Sequence, residues 1–276
     1  MSPEKIGTER NRRDYHVNIL KSIIISLSLY SKIPMPTFEW DEDSTRHAIS
    51  FLPLTGLIIG GISVLFAWGA MRWALPVFFV TLILTAIPLI ITGGFHADGF
   101  MDVQDALHSY QPKEKKLEIM KDPHIGAFAV ISAGTVLLIW TGFLYLLVRK
   151  CLEGQDLRLM LIYGLAFVLI RALCGITSIS FPKAKKDGML NMETGRSNRG
   201  DLIFLVLETL FSLGAMVAVN PVAGSIEVVA ALLFTLWYRS LCKKNFGGVT
   251  GDTAGFFVVM GETFLVVVLG IAGFVL

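Results

Sequence analysis

Long apolar runs separated by short polar stretches dominate this chain. Seven of them cover residues 49–70, 75–95, 125–148, 159–181, 202–220, 222–238 and 256–276. A helix needs about 20 apolar residues to cross a hydrocarbon core about 30 Å thick. Most of the runs reach that length, and a soluble core has no use for so many. The pattern predicts an all-α fold, a polytopic membrane helical bundle with seven transmembrane helices. Residues 17–36 break the pattern. They form a shorter segment that carries Lys21 and Lys32 and ends on Ile33-Pro34-Met35-Pro36, where proline terminates a helix. This segment is read as an N-terminal interfacial or re-entrant helix. Residues 1–16 are a charged extension before it, and 1–276 is read as one integral-membrane domain.

Composition agrees: 54% of the 276 residues are hydrophobic and 17% charged, against about 25% charged in soluble domains. A net charge of +2 is too small to point to nucleic acid. The basic residues instead report topology. With seven crossings, one side holds the N-terminus, 96–124, 182–201 and 239–255, and with them most of the lysines and arginines. The other side holds Arg72, Arg149, Lys150 and Arg158. The positive-inside rule places the first side in the cytoplasm and the C-terminus outside. Cys151, Cys174 and Cys242 are odd in number and scattered, which argues against a disulfide framework or a zinc site.

The candidate chemistry lies in the polar stretches of the cytoplasmic side. Asp98, Asp102 and Asp105 stand at i, i+4 and i+7. On a helix they form one stripe within about 60°. Carboxylates so placed repel one another and call for a hard cation, Mg²⁺ or Mn²⁺. Gly93-Gly94 precede them; they can take positive φ and let a backbone approach a ligand closely. Phe246-Gly247-Gly248-Val249-Thr250-Gly251-Asp252 repeats the Gly-Gly-x-x-x-Asp spacing of Gly93 to Asp98. Two such elements on one membrane face can flank a single diphosphate–metal site. Glu262 follows inside an apolar run, where it either pairs with a buried base such as Arg171 or has a functional role.

Other loops supply candidate anion ligands and proton carriers. Lys121, Asp122 and His124 close the first large cytoplasmic loop, and Lys183, Lys185 and Lys186 open the next. Lysine gives a phosphate oxygen a point charge, and His124 can donate to a phosphate or carry a proton. Arg46 stands before the first long span as a further phosphate ligand.

These motifs resemble those of the cobalamin synthase family. Tyr30-Ser-Lys-Ile-Pro34-Met-Pro36 is similar to its N-terminal aromatic–basic element, and Phe51-x-Pro53-Leu-x-Gly56 to the start of its first span. Gly93-Gly94-Phe-His96-x-Asp98-Gly99-x-x-Asp102 and Met120-Lys121-Asp122-Pro-His-Ile125-Gly126-Ala-Phe128 resemble its two central signatures. Gly247-Gly248-x-Thr250-Gly251-Asp252 resembles its C-terminal element. The resemblance implies a Mg²⁺-dependent ribazoletransferase of the cytoplasmic (inner) membrane, its active site facing the cytoplasm. Such an enzyme joins adenosylcobinamide-GDP to α-ribazole or α-ribazole 5′-phosphate and releases GMP. For that reaction the residues read above are assigned as follows: Asp98, Asp102 and Asp105 as metal ligands, the last as a second-metal ligand or a base; His96, Asp122 and His124 as catalytic groups; and Arg46, Gly93, Gly94, Lys121, Lys183, Lys185, Lys186, Gly248, Thr250 and Asp252 as substrate contacts. A homo-oligomer is left open. Two other readings were weighed. A transferase acting on CDP-linked donors shares an Asp-Gly-x-x series but needs Ala-Arg after its first aspartate pair, where this chain has Val103-Gln104 after Asp102. A cation transporter places its acids near the bilayer midplane, whereas these collect at one face.

Overall fold

The computed structural model describes residues 19–37, 45, 47–184, 190, 194 and 197–275. The described residues form ten α-helices: α1 (Ile19–Tyr30), α2 (Leu52–Arg72), α3 (Val77–Thr92), α4 (Phe95–His108), α5 (Lys113–Ile119), α6 (Ala127–Gly154), α7 (Arg158–Ser180), α8 (Arg199–Val219), α9 (Pro221–Asn245) and α10 (Gly251–Val275). A 3-10 turn, Ala48–Phe51, leads into α2. Six helices are long and apolar enough to cross a membrane: α2 with its leading turn, α6, α7, α8, α9 and α10. α3, about 24 Å long at 1.5 Å per residue, breaks by 93° into α4, and the two together form a bent pair, either a seventh, broken span or a re-entrant element. With the six spans, this pair matches the seven apolar runs one for one. The described part of α1 is about 18 Å long, shorter than a span.

No water reaches the hydrocarbon core, so each span satisfies its own backbone as helix. Hydroxyls within spans bond back one turn, as Thr85 Oγ1 does to the Thr81 carbonyl (2.9 Å) and Thr209 Oγ1 to that of Leu205 (2.9 Å). Outward side chains are large and apolar; Leu138 and Phe211 are 75% and 73% exposed. Only lipid makes such a surface tolerable.

Two helices, α7 and α10, form the centre, with α2, α8, α9, α6 and α4 packed around them. Gly60 of α2 meets the Gly164 backbone of α7 directly, the close approach that small residues allow between membrane helices. Arg171 of α7 forms a buried ion pair with Glu262 of α10, so the expected buried base for Glu262 is Arg171.

The polar segments gather at one end of the bundle. Lys116 Nζ donates to Asn245 Oδ1 (2.8 Å), tying α5 to the end of α9. Ser50 Oγ donates to Asp201 Oδ1 (2.8 Å), tying the start of α2 to α8.

Candidate active site

The site is built where α4 lies across the first turns of α10. After α3 the chain turns through Gly93 and Gly94, with φ of +62° and +81°, a conformation that costs little only for glycine. The 93° break turns α4 out of the span direction, along the end of the bundle. A β-carbon on Gly93 would strike the Lys32 side chain. The Lys32 N–H also donates to the Ile91 carbonyl (2.7 Å), fastening the segment after α1 over the bend. Gly93 and Gly94 therefore shape the bend, and neither lines the cavity described below.

Two more glycines let α4 and α10 touch. A β-carbon on Gly99 would sit 2.9 Å from Asp252 Cα, and one on Gly255 would sit 2.9 Å from the His96 carbonyl oxygen. The crossing brings the α4 stripe to Asp252, so the two Gly-Gly-x-x-x-Asp elements converge. Asp98 and Asp252 each lie in a helical first turn, where the helix dipole favours negative charge. The start of α10 is locked by a reciprocal pair: the Thr250 N–H donates to Thr253 Oγ1 (2.8 Å) and the Thr253 N–H to Thr250 Oγ1 (3.2 Å). Partial burial, then the charges of Asp98, Asp252 and Asp105, push Asp102 up to about 6. A cation placed there would relieve that crowding. Among the described residues no group of three or more His, Cys, Asp or Glu side chains is placed to hold a metal ion by itself.

The loop after α7 supplies a basic group. The Val249 N–H donates to the Pro182 carbonyl (2.8 Å) and the Ala184 N–H to the Val249 carbonyl (3.0 Å). Gly248, lacking a side chain, lets the Pro182–Ala184 backbone lie against it. This bridge fixes Lys183 beside Thr250-Gly251-Asp252. Lys183 Nζ is buried with no hydrogen-bond partner among the described residues, and burial lowers its pKa to about 8. A desolvated, unpartnered ammonium is costly, and an arriving phosphate would satisfy it.

Asp98, Asp252, Thr250 and Lys183 line a cavity of about 370 Å³, and Asp102 stands outside that lining. The polar lining includes His96, Asp98, Lys121, Lys183, Thr250 and Asp252; the apolar lining includes Tyr30, Ile49, Leu52, Phe95, Met120 and Leu190. His96 is 5% exposed, and its pKa is lowered to about 3 by burial and then by the Arg171 charge. At neutral pH it is an uncharged imidazole, stacked on Tyr30 with ring centroids 6.1 Å apart.

Other expected residues stand elsewhere. Asp105 accepts from the Gly126 N–H at Oδ2 (2.7 Å) and the Ala129 N–H at Oδ1 (2.8 Å). Both oxygens thus cap the start of α6, whose first N–H groups have no intrahelical partner. We expect Asp105→Ala to cost about 1–2 kcal/mol, measured by thermal unfolding in detergent, with a smaller loss of activity than at Asp102. Asp122 and His124 pair with each other (2.7 Å) on the exposed loop, and neither lines the cavity. Arg46, Lys185 and Lys186 lie outside the described residues.

Sequence reasoning missed the apolar wall and Asp201. Ile49 and Leu52 look like any other apolar residues of their run, and Tyr30, which opens the aromatic–basic element, carries no mark of a cavity wall. Buried Asp201 faces His47 Nδ1 (2.6 Å) and accepts from the Asn198 N–H at Oδ2 (2.8 Å). Asn198-x-x-Asp201 is a capping box, a signal present in the sequence.

Comparison with known proteins places these features in context. The family model described as cobalamin-5-phosphate synthase matches residues 22–270. An adenosylcobinamide-GDP ribazoletransferase of Lachnoclostridium phytofermentans is 38% identical over 88% of this chain and 90% of its own length. One from Clostridium perfringens is 32% identical over 91% and 98%, and one from Clostridioides difficile 30% over 88% and 94%. No solved structure matches the chain.

Proposed function

This chain belongs to the cobalamin-5-phosphate synthase family, and we propose that it is a membrane-embedded adenosylcobinamide-GDP ribazoletransferase. It would join adenosylcobinamide-GDP to α-ribazole, or to its 5′-phosphate, and release GMP. The observation that carries this reading is that Asp98, Asp252 and the unpartnered Lys183 ammonium line one cavity, with Asp102 near enough for the charges of Asp98 and Asp252 to raise its pKa. A diphosphate needs that combination of carboxylates for a metal ion and cations for phosphate oxygens.

The donor set suits Mg²⁺. That ion dehydrates reluctantly and is commonly held by one or two carboxylates together with substrate phosphates, not by an all-protein cage. Asp98 and Asp102 would hold it, with Asp252 opposite. When bound, it neutralises charge on the diphosphate. Asp105 is left with its capping role.

In the transfer, a ribose hydroxyl of the acceptor attacks the phosphorus bonded to cobinamide. The new P–O bond forms as the P–O bond to GMP breaks, and the hydroxyl proton leaves. The enzyme contributes chiefly position and charge. Asp252, lining the cavity across from the α4 stripe, is placed to take that proton. Lys183 and Lys121 bind phosphate oxygens, and His96, stacked and uncharged, holds the wall beside Asp98. The lysine-rich end of the bundle, by the positive-inside rule, faces the cytoplasm across the cytoplasmic membrane, where GMP would be released.

The purified chain in liposomes, supplied with both substrates and Mg²⁺, should form GMP and a cobalamin product in equal amounts. GMP without corrinoid product, or no GMP from inserted protein, would refute the assignment. Lys183 gives a finer test. Loss of one charge-assisted contact costs about 1.5–3 kcal/mol, so Lys183→Met should raise the KM for adenosylcobinamide-GDP about tenfold or more. The ammonium is present below its pKa and lost above it. The wild-type KM should therefore rise as pH passes about 8, and Lys183→Arg should remove that rise.

A further inference from the structure

One part of the cavity lining is apolar and contiguous in the chain's first half: Tyr30 at the end of α1, Ile49 and Leu52 at the start of α2, and Phe95 at the start of α4. The charged groups are Asp98 of α4, Lys121, Lys183 and Asp252 at the start of α10. The Tyr30 ring lies edge-on to Phe95 with centroids 5.8 Å apart and flat against His96. Ile49 and Leu52, 3% and 2% exposed, belong to the wall of this part of the cavity.

We infer that this aromatic and aliphatic part is the subsite for the benzimidazole base of the ribazole acceptor, while the guanine of the other substrate stays outside it. The inference rests on the transferase reading above and adds which substrate fills the enclosed end. Guanine carries a ring N–H, an amino group and a carbonyl, and burying them unpaired forfeits their bonds to water. The aliphatic Ile49 and Leu52 and the phenyl ring of Phe95 offer none of those bonds. A dimethylbenzimidazole has one free ring nitrogen and two methyl groups, so an apolar slot with aromatic faces suits it. Size agrees. About 370 Å³ takes a nucleoside-sized group and not a corrin macrocycle. Corrinoid and guanine then lie toward the open side, with the diphosphate between Lys183 and the aspartates and the ribose of the acceptor directed at it.

The test is steady-state kinetics of Ile49→Ala and Leu52→Ala in liposomes, each substrate varied in turn. Trimming an apolar pocket weakens selection at least about tenfold. We expect the KM for α-ribazole to rise about tenfold or more and that for adenosylcobinamide-GDP to stay within about twofold. We also expect Leu52→Ala to gain turnover with a riboside whose base carries an extra fused ring. An unchanged KM for the GDP-linked substrate shows that the variants fold, and a gain with the larger base is something mere destabilisation does not produce. A rise in the KM for adenosylcobinamide-GDP alone, or no change in either KM, would overturn the subsite and leave the transferase reading standing. If the wild type releases no GMP, equilibrium binding of α-ribazole still decides. Binding that weakens in Leu52→Ala supports the subsite, and no binding to the wild type overturns it.

Discussion

Asp102→Asn should lower GMP release on the order of 100- to 1000-fold while leaving the protein inserted and at least as stable as the wild type. Both halves follow from the same geometry. Asp102 stands among Asp98, Asp252 and Asp105, whose charges together with burial raise its pKa to about 6. Removing one charge from a crowded group relieves repulsion, so the thermal midpoint in detergent should hold or rise. Removing one ligand from the carboxylate pair proposed to hold a metal against the diphosphate should cost most of the charge stabilisation such a reaction depends on. A fall in activity with no fall in stability separates a functional carboxylate from a structural one, and Asp105, with both oxygens on α6 N–H groups, should show the opposite balance.

The second large effect lies in the bundle. Glu262→Leu should destabilise the protein by about 3–5 kcal/mol, because it leaves the Arg171 guanidinium buried without its carboxylate. The paired change Arg171→Met with Glu262→Leu should recover most of that loss, since a well-packed apolar pair can replace a buried ion pair at little cost. The readout is reversible unfolding in mixed micelles. No recovery in the double variant would mean that the two side chains do not act as a pair. Because this pair joins α7 to α10, and α10 carries Asp252, the single variant should lose activity along with stability.

Much of this was legible in the sequence because the membrane makes few allowances. Bilayer thickness fixes the length of a span, so six of the seven apolar runs became helices long enough to cross, and the seventh became the bent pair α3–α4. A charge in a span needs a partner or a function, so Glu262 pointed to a buried base such as Arg171 or to a functional role, and the ion pair decides for the base. The echo between Gly93–Asp98 and Gly247–Asp252 was readable as spacing, and the crossing at Gly99 and Gly255 is what turns it into one site. Other features need the third dimension. The stripe spacing makes Asp98, Asp102 and Asp105 alike, and only the arrival of α6 beside Asp105 sets it apart. Ile49 and Leu52 have the same composition as lipid-facing neighbours, and nothing in a run of apolar residues marks the ones that line a cavity. The run 75–95 read through the glycines to Phe95, whereas α3 stops at Thr92. Two successive residues at positive φ cannot continue a right-handed helix.

The most direct test of the central claim is the Mg²⁺ dependence of GMP release from adenosylcobinamide-GDP and α-ribazole, compared between the wild type and Asp252→Asn. If the two Gly-Gly-Asp elements build one site, the wild type needs Mg²⁺, and Asp252→Asn loses most of its activity at every Mg²⁺ concentration or requires far more of the ion. An Asp252→Asn protein that releases GMP at the wild-type rate with the same Mg²⁺ requirement would contradict it.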